Sequence, residues 1–223
     1  MNYLQLVQRT WRECGLAGEG PAGVSGQRGM ERRIVDWVAE AWSEIQGSRQ
    51  SDPLPFMLCR ASLPLAAGVQ SASLAVLTPP LRQPDISYAR LVYPDRVVPL
   101  SWRTWDELRP LVELRNGTAA GTPALLAVDF QRQLRLDRPL ARDALLEFDY
   151  LRQAQQLQAD GDVPILPDEQ DHLLIVWRAA MLYAGFDSAS EVYQTAQANY
   201  LRMLARLVNP SGELVRWDVR PLA

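Results

Sequence analysis

Eight of the chain's 16 prolines fall between residues 53 and 99, at Pro53, Pro55, Pro64, Pro79, Pro80, Pro84, Pro94 and Pro99. Proline lacks a backbone donor and clashes with the preceding helical turn, so no long helix can cross that stretch. The segments on either side carry helical periodicity instead. The expected class is α+β: a helical bundle formed by the N- and C-terminal helices, with an inserted antiparallel β lobe. The expected boundaries are 1–50 and 160–209 for the bundle, 53–152 for the lobe with one short helix, and 210–223 for a C-terminal tail.

At the N-terminal end, Leu4, Val7, Trp11 and Cys14 recur at helical spacing and stop at Gly15. Residues 15–29 (GLAGEGPAGVSGQRG) form a Gly-rich loop, read either as a flexible connector or as a loop that orders against a neighbouring subunit. Met30, Ile34, Val38, Ala41, Trp42 and Ile45 mark one face of a second helix. Its opposite face carries Arg32, Arg33, Asp36, Glu40 and Glu44, a solvated or interfacial surface. Near the other end, Leu173–Phe186 is apolar almost all round with Arg178 as its one charge, the pattern of a central core helix. In the final helix Tyr193, Ala196, Tyr200, Met203, Leu204 and Leu207 form a stripe that ends at Asn209-Pro210. Neither two-helix half can bury its stripe alone, so the two ends must pack together.

Between the prolines lie short runs of strand character: Phe56–Leu65, Ser71–Leu77, Ile86–Tyr93, Ala124–Phe130, Gln133–Leu136 and Ala144–Leu151. In the last, Ala144, Leu146, Phe148 and Tyr150 alternate with Leu145, Glu147 and Asp149, as in a half-buried antiparallel strand. Trp102–Val112 reads as a short helix capped by Ser101, and Asn116-Gly117 as a tight turn.

Composition removes several classes of function. The chain is 223 residues long, has net charge −3 and a pI near 5.3, and so lacks the basic field of a free-standing DNA binder. All 23 basic residues are Arg. That fits a GC-rich genome, and it also fits an interface built on planar, bidentate pairing. No run of eighteen apolar residues exists, so no membrane span is expected. The start Met1-Asn2-Tyr3-Leu4 lacks the basic and apolar regions of a signal peptide. Cys14 and Cys59 are too few for a disulfide framework or a four-ligand zinc site and read as reduced thiols.

Chemistry is sparse. His172 is the only histidine, and a lone His near a helix start ordinarily caps or packs. The Gly-rich loop lacks the Gly-Lys-Ser/Thr ending of a P-loop and follows a helix, so the dinucleotide fingerprint fails as well. Asp106/Glu107, Asp160/Asp162 and Asp168/Glu169 lie in polar segments and read as solvated surface. No catalytic, cofactor-binding or metal-binding residue is assigned. Trp102 and Trp105 beside Arg103 suit either core anchoring or stacking. The tail (ELVRWDVRPLA) carries Trp and Arg, the residue types that dominate interface hot spots, so it reads as a docking segment or as one that folds back on its own domain.

Two segments resemble a known family. The run YLQLVQRTWRECGLAGEGPAGVSGQRGMERRIVDWVAEAWSEIQ is similar to the opening of tailed-phage head-to-tail adaptor (neck, connector) proteins, with a short helix, a Gly-rich loop, a "GQ-G" turn and a "WV-EA-EIQ" helix in that order. The run PILPDEQDHLLIVWRAAMLYAGFDSASEVYQTAQANYLRML resembles the family's second signature. Val97–Arg103 and Gly121-Thr122-Pro123 match between them, while AAGVQ at 66–70 departs from the pattern. The architecture also resembles podovirus tail tubular proteins at the level of fold. The resemblance implies a virion structural protein rather than an enzyme. It would be made in the host cytoplasm and sit in the neck, as a twelvefold homo-oligomeric ring beneath the portal protein, with a further tail or neck protein below it. Genomic DNA would pass through the lumen unread. Arg32, Arg33, Asp36 and Glu40 are then the candidate subunit contact, and Leu214, Arg216, Trp217, Arg220 and Leu222 the candidate portal contact. A different tail-completion or tail tubular-type interaction protein is the alternative, and an enzyme using a carboxylate site a third reading.

Overall fold

A computed structural model describes residues 1–47, 53–114, 119–166 and 168–208, with the backbone alone for 85–87. The chain divides into two compact units, one holding residues 1–56 and the chain from Ala154 on, the other Met57–Gln153. With five α-helices and two largely antiparallel sheets among the described residues, the fold is α+β, as the proline distribution leads one to expect.

In the first unit, α1 spans Tyr3–Glu13 and α2 Gly29–Gly47. Asn2 caps α1 through a reciprocal pair with Gln5, each side chain bonding the other residue's backbone N–H at 2.9 Å. The next donors are met by a distant loop: Tyr3 N–H bonds the Asp162 carbonyl and Leu4 N–H the Asp160 carbonyl. The buried stripe of α1 is Tyr3, Leu6, Val7, Thr10 and Cys14, whereas Leu4 and Trp11, expected on it, are half-buried. On α2 the expected face is buried at Ile34, Val38, Ala41, Trp42 and Ile45, while Met30, at its start, is half-buried.

The third helix, α3 (Trp105–Leu114), belongs to the second unit; α4 (Leu173–Asp187) and α5 (Ser190–Val208) complete the first. A 3₁₀ turn at Glu169–His172 leads into α4, capped by the Asp168 carboxylate on Gln170 N–H. Because α4 is apolar around most of its circumference, α1, α2 and α5 all pack on it. The enclosure is incomplete. Leu174, Ile175, Val176, Ala179, Ala180 and Met181 are buried, but Leu173 and Trp177 are only half-buried, so Trp177 is not the core residue that the apolar run implies. On α5 only Ala196 and Leu207 are buried; Tyr193, at the head of the predicted stripe, is 38% exposed.

Among its described residues the second unit holds eight strands: β1 (Leu58–Leu65), β2 (Ser71–Ser73), β3 (Leu81–Val92), β4 (Val97–Pro99), β5 (Ser101–Trp102), β6 (Leu125–Val128), β7 (Gln133–Leu136) and β8 (Ala144–Arg152). They form two four-stranded sheets, ordered β1-β8-β3-β4 and β2-β7-β6-β5. Inner residues of both, among them Ala61, Leu91, Leu146 and Phe148 from one and Leu126, Leu134 and Leu136 from the other, share one apolar core. The alternation read in Ala144–Leu151 is the observed one. Two expectations change. The segment around Val97–Trp102 forms β4 and β5, too short to be read from pattern, and β5 pairs parallel with β6. Ser101 lies in β5, so it does not cap α3. That role falls to Thr104, whose hydroxyl faces Glu107 N–H at 3.4 Å while the Glu107 carboxylate accepts from Thr104 N–H at 3.1 Å. The turn expected at Asn116-Gly117 lies outside the described residues.

Candidate interaction surface

The chain's few groups with chemical potential are used structurally. His172 is buried, with Nδ1 2.8 Å from the Met1 amine and 2.9 Å from its carbonyl. Burial pushes the Cys14 thiol up to about 12, with Glu13 adding to the effect. Asp160 Oδ1 accepts from Val24 N–H at 2.8 Å, and the Asp162 carboxylate accepts from Gln158 and Ala159 N–H, which hold it below the usual carboxylate range. These carboxylates lie at the surface, as expected, and also organise loops. Among the described residues no cluster of His, Cys, Asp or Glu could hold a metal ion, and no helix is long and apolar enough to cross a membrane.

The Gly-rich loop makes several hydrogen bonds within the chain. Trp11 Nε1 donates to the Ala17 carbonyl, Gln8 to the Pro21 carbonyl and Gln27 to the Gly23 carbonyl, while Asp160 takes Val24. Gly20 has φ +86° and lies so close to Trp11 that a Cβ there would stand 3.1 Å from its Cγ. The outcome is a largely exposed loop tied to α1 and to Asp160.

The four residues expected at a subunit contact all lie exposed on α2. Arg32 and Asp36, one turn apart, pair at 3.4 Å, a contact worth little in water. Glu40 is exposed. Arg33 differs, because its guanidinium lies 4.3 Å above the ring of Phe186 from α4. Trp37, one turn on, packs against Phe186 at 5.6 Å and against Tyr183 at 6.2 Å. Burial, with the hydrogen bond to the Asp187 carboxylate, pushes the Tyr183 hydroxyl up to about 12, which keeps it protonated and donating. Yet Phe186 remains 51% exposed. An aromatic ring fixed by a tryptophan and an arginine, and still half in water, has the composition of an interface anchor. Sequence reading found Arg33 but missed Trp37 and Phe186. The Arg33–Trp37 spacing of one helical turn was the available signal.

A second feature lies where α4 is uncovered. Gln170, Leu173, Trp177, Arg202, Met203 and Arg206 line a groove of about 430 Å³ between α4 and α5. Arg206 braces it, bonding Asp171 at 2.9 Å and both Asp168 and Gln170 at 3.2 Å. In the second unit, the β6–β7 hairpin presents Phe130, 81% exposed, at its tip. Side-chain hydrogen bonds tie that tip together: Asp129 Oδ1 accepts from Gln131 and Gln133 N–H, and Oδ2 from Arg135. Burial opposes the Asp129 charge, but these donors outweigh it and hold the carboxyl below its ordinary value.

Half-exposed aromatic anchors and an open apolar groove, with no assembled reactive centre among the described residues, describe a chain built to touch other chains. A family model described as SU10 adaptor protein matches residues 1–220. The chain belongs to the SU10 adaptor protein family. It is a phage adaptor, a virion component that works through contacts with other virion proteins. No curated protein matches it. The tail residues expected to dock, Leu214, Arg216, Trp217, Arg220 and Leu222, lie outside the described residues.

Proposed function

We propose that this SU10-family adaptor assembles as a ring, twelvefold in symmetry, beneath the portal protein of the virion neck. There it joins capsid to tail and continues the channel through which DNA leaves. The observation that carries this reading is the extent of the family match, which runs through both units and into the tail. Two physical features support it. A head-to-tail ring needs different surfaces on one subunit that meet when copied by rotation, and α2 offers Arg32, Arg33, Asp36 and Glu40 on an exposed face beside Phe186. A net charge of −3 suits a lumen that DNA crosses without being held.

In this reading the tail segment with Leu214, Arg216, Trp217, Arg220 and Leu222 docks on the portal, and strand addition to a portal sheet edge is one physical route. The test is co-purification with portal followed by negative-stain imaging, for the full chain and for a chain deleted of residues 210–223. Twelvefold rings on portal are expected for the full chain. The deleted chain is expected to keep its helical circular-dichroism signal and lose attachment. Attachment of the deleted chain at full strength overturns the tail assignment. Binding solely to distal tail components overturns the neck reading in favour of a tail-completion role.

A further inference from the structure

We propose that the groove between α4 and α5 receives Phe186 of a neighbouring copy, and that this knob-and-groove pair is the subunit contact of the ring. The inference rests on the ring reading above and deepens it by naming both halves of the contact. Trp177, in the groove, and Phe186 lie nine residues apart on the same helix. At about 100° per residue they project about 180° apart. A copy can therefore offer the knob from one flank of α4 while its groove faces the other way, as a heterologous contact demands.

The two surfaces also match chemically. Phe186 is held by Trp37 and Arg33 before any partner arrives, so seating it freezes little further motion. Leu173, Trp177 and Met203 are half-buried apolar side chains that gain cover from an entering ring. Charge is complementary in both directions. Asp187 follows Phe186 and Glu191 opens α5, both exposed, while exposed Arg202 stands at the groove. Arg202 bonds only Asn199, and neither it nor Glu191 has an ion-pair partner among the described residues. On the knob side Arg33 likewise has no carboxylate among the described residues, and exposed Asp168 and Glu169, paired with Arg206 and with the Met1 amine, adjoin the groove residue Gln170.

The experiment uses the full chain carrying Phe186→Glu, which spoils the knob, or Trp177→Glu, which spoils the groove. Melting curves check the folding of each. Sedimentation velocity and negative-stain images follow assembly, alone and with portal rings. Each variant by itself is expected to stay monomeric at about tenfold the concentration at which the unaltered chain assembles. An equimolar mixture is expected to form one-to-one dimers and stop, because one intact contact remains per pair. If Trp177→Glu melts early, the charge exchange replaces it: Arg202→Glu and Glu191→Arg should each weaken assembly, and together restore it. Rings formed by the variants as readily as by the unaltered chain overturn this contact and leave the ring reading standing. Loss of portal binding by Trp177→Glu with self-association intact gives the groove to a portal segment and overturns it too. No ring from the unaltered chain in either setting overturns the ring reading, and this contact with it.

Discussion

The guanidinium of Arg178 on α4 donates to the carboxylate of Glu44 on α2 across 2.6 Å. The pair is part-exposed, at 27% for Arg178 and 40% for Glu44. The hydrogen bond that Arg178 donates to Glu44 raises the Arg178 pKa against the opposing effect of burial. Solvent screening limits what such a contact contributes, so Glu44→Gln and Arg178→Met should each lower stability by about 0.5–1 kcal/mol. Urea denaturation of both single variants and the double variant gives the coupling. A coupling near zero would mean that packing alone joins α2 to α4 here.

Gly20 and Gly18 share a left-handed backbone, with φ +86° and +87°, but differ in surroundings. A Cβ on Gly18 meets open space, whereas one on Gly20 meets Trp11. Gly18→Ala should therefore cost only the backbone strain, about 1 kcal/mol. Gly20→Ala should cost more and should loosen the loop from Trp11. Limited proteolysis checks this: cleavage within residues 15–29 should rise sharply for Gly20→Ala and only slightly for Gly18→Ala.

These cases also mark what sequence pattern can and cannot reveal. The faces of α2 and β8 were legible because Ile34, Val38 and Ala41, or Ala144, Leu146 and Phe148, repeat at the period of their element. β4 and β5 were not, because three residues and two residues are too few to display a period. The order in the Gly-rich loop depends on Asp160, 136 residues from Val24, and no local signal predicts such a partner. Thr104-x-x-Glu107 was a readable capping box that the nearer Ser101 obscured. Trp177 illustrates a deeper limit. A helix apolar on all sides looks central whether or not a neighbour covers every side, and the uncovered side is the one proposed to meet a partner.

That exposure changes the expected cost of truncating Trp177. A fully buried aromatic loses about 3–5 kcal/mol on mutation to Ala, whereas a half-buried one on a groove wall should lose about half of that. Thermal melting of Trp177→Ala checks the value. A loss at the full-burial level would show that the groove is closed in solution.

Asp137 is 1% exposed, and its Oδ1 accepts from the N–H groups of Ala124 at 2.9 Å and Leu125 at 3.1 Å, where β6 begins. Asp137→Ala would leave two backbone donors without this acceptor, at about 1–3 kcal/mol for an unsatisfied buried group. Asp137→Asn keeps an acceptor oxygen and should cost less. Hydrogen exchange at Ala124 and Leu125 separates a local from a general effect: both amides should exchange faster in Asp137→Ala before the unit as a whole does.

His172 sets a pH dependence with a definite sign. Burial lowers its pKa from the ordinary 6.5, and the Met1 ammonium lowers it further, against opposing contributions from the Met1 carbonyl, Glu169 and Asp171. The folded chain therefore binds a proton at His172 less readily than the unfolded chain does. The stabilisation is fully present above pH 6.5 and is lost as the pH falls below that value towards the folded pKa. Carboxylates such as Asp129, Asp162 and Glu169, all held below their usual range, lose their own contribution only at more acidic pH. The melting temperature should thus drop between about pH 7 and pH 5.5, before carboxylate titration begins. In His172→Asn, which cannot take up the proton, that drop should flatten even if the variant is less stable throughout. An unchanged slope in the variant would assign the dependence to another group.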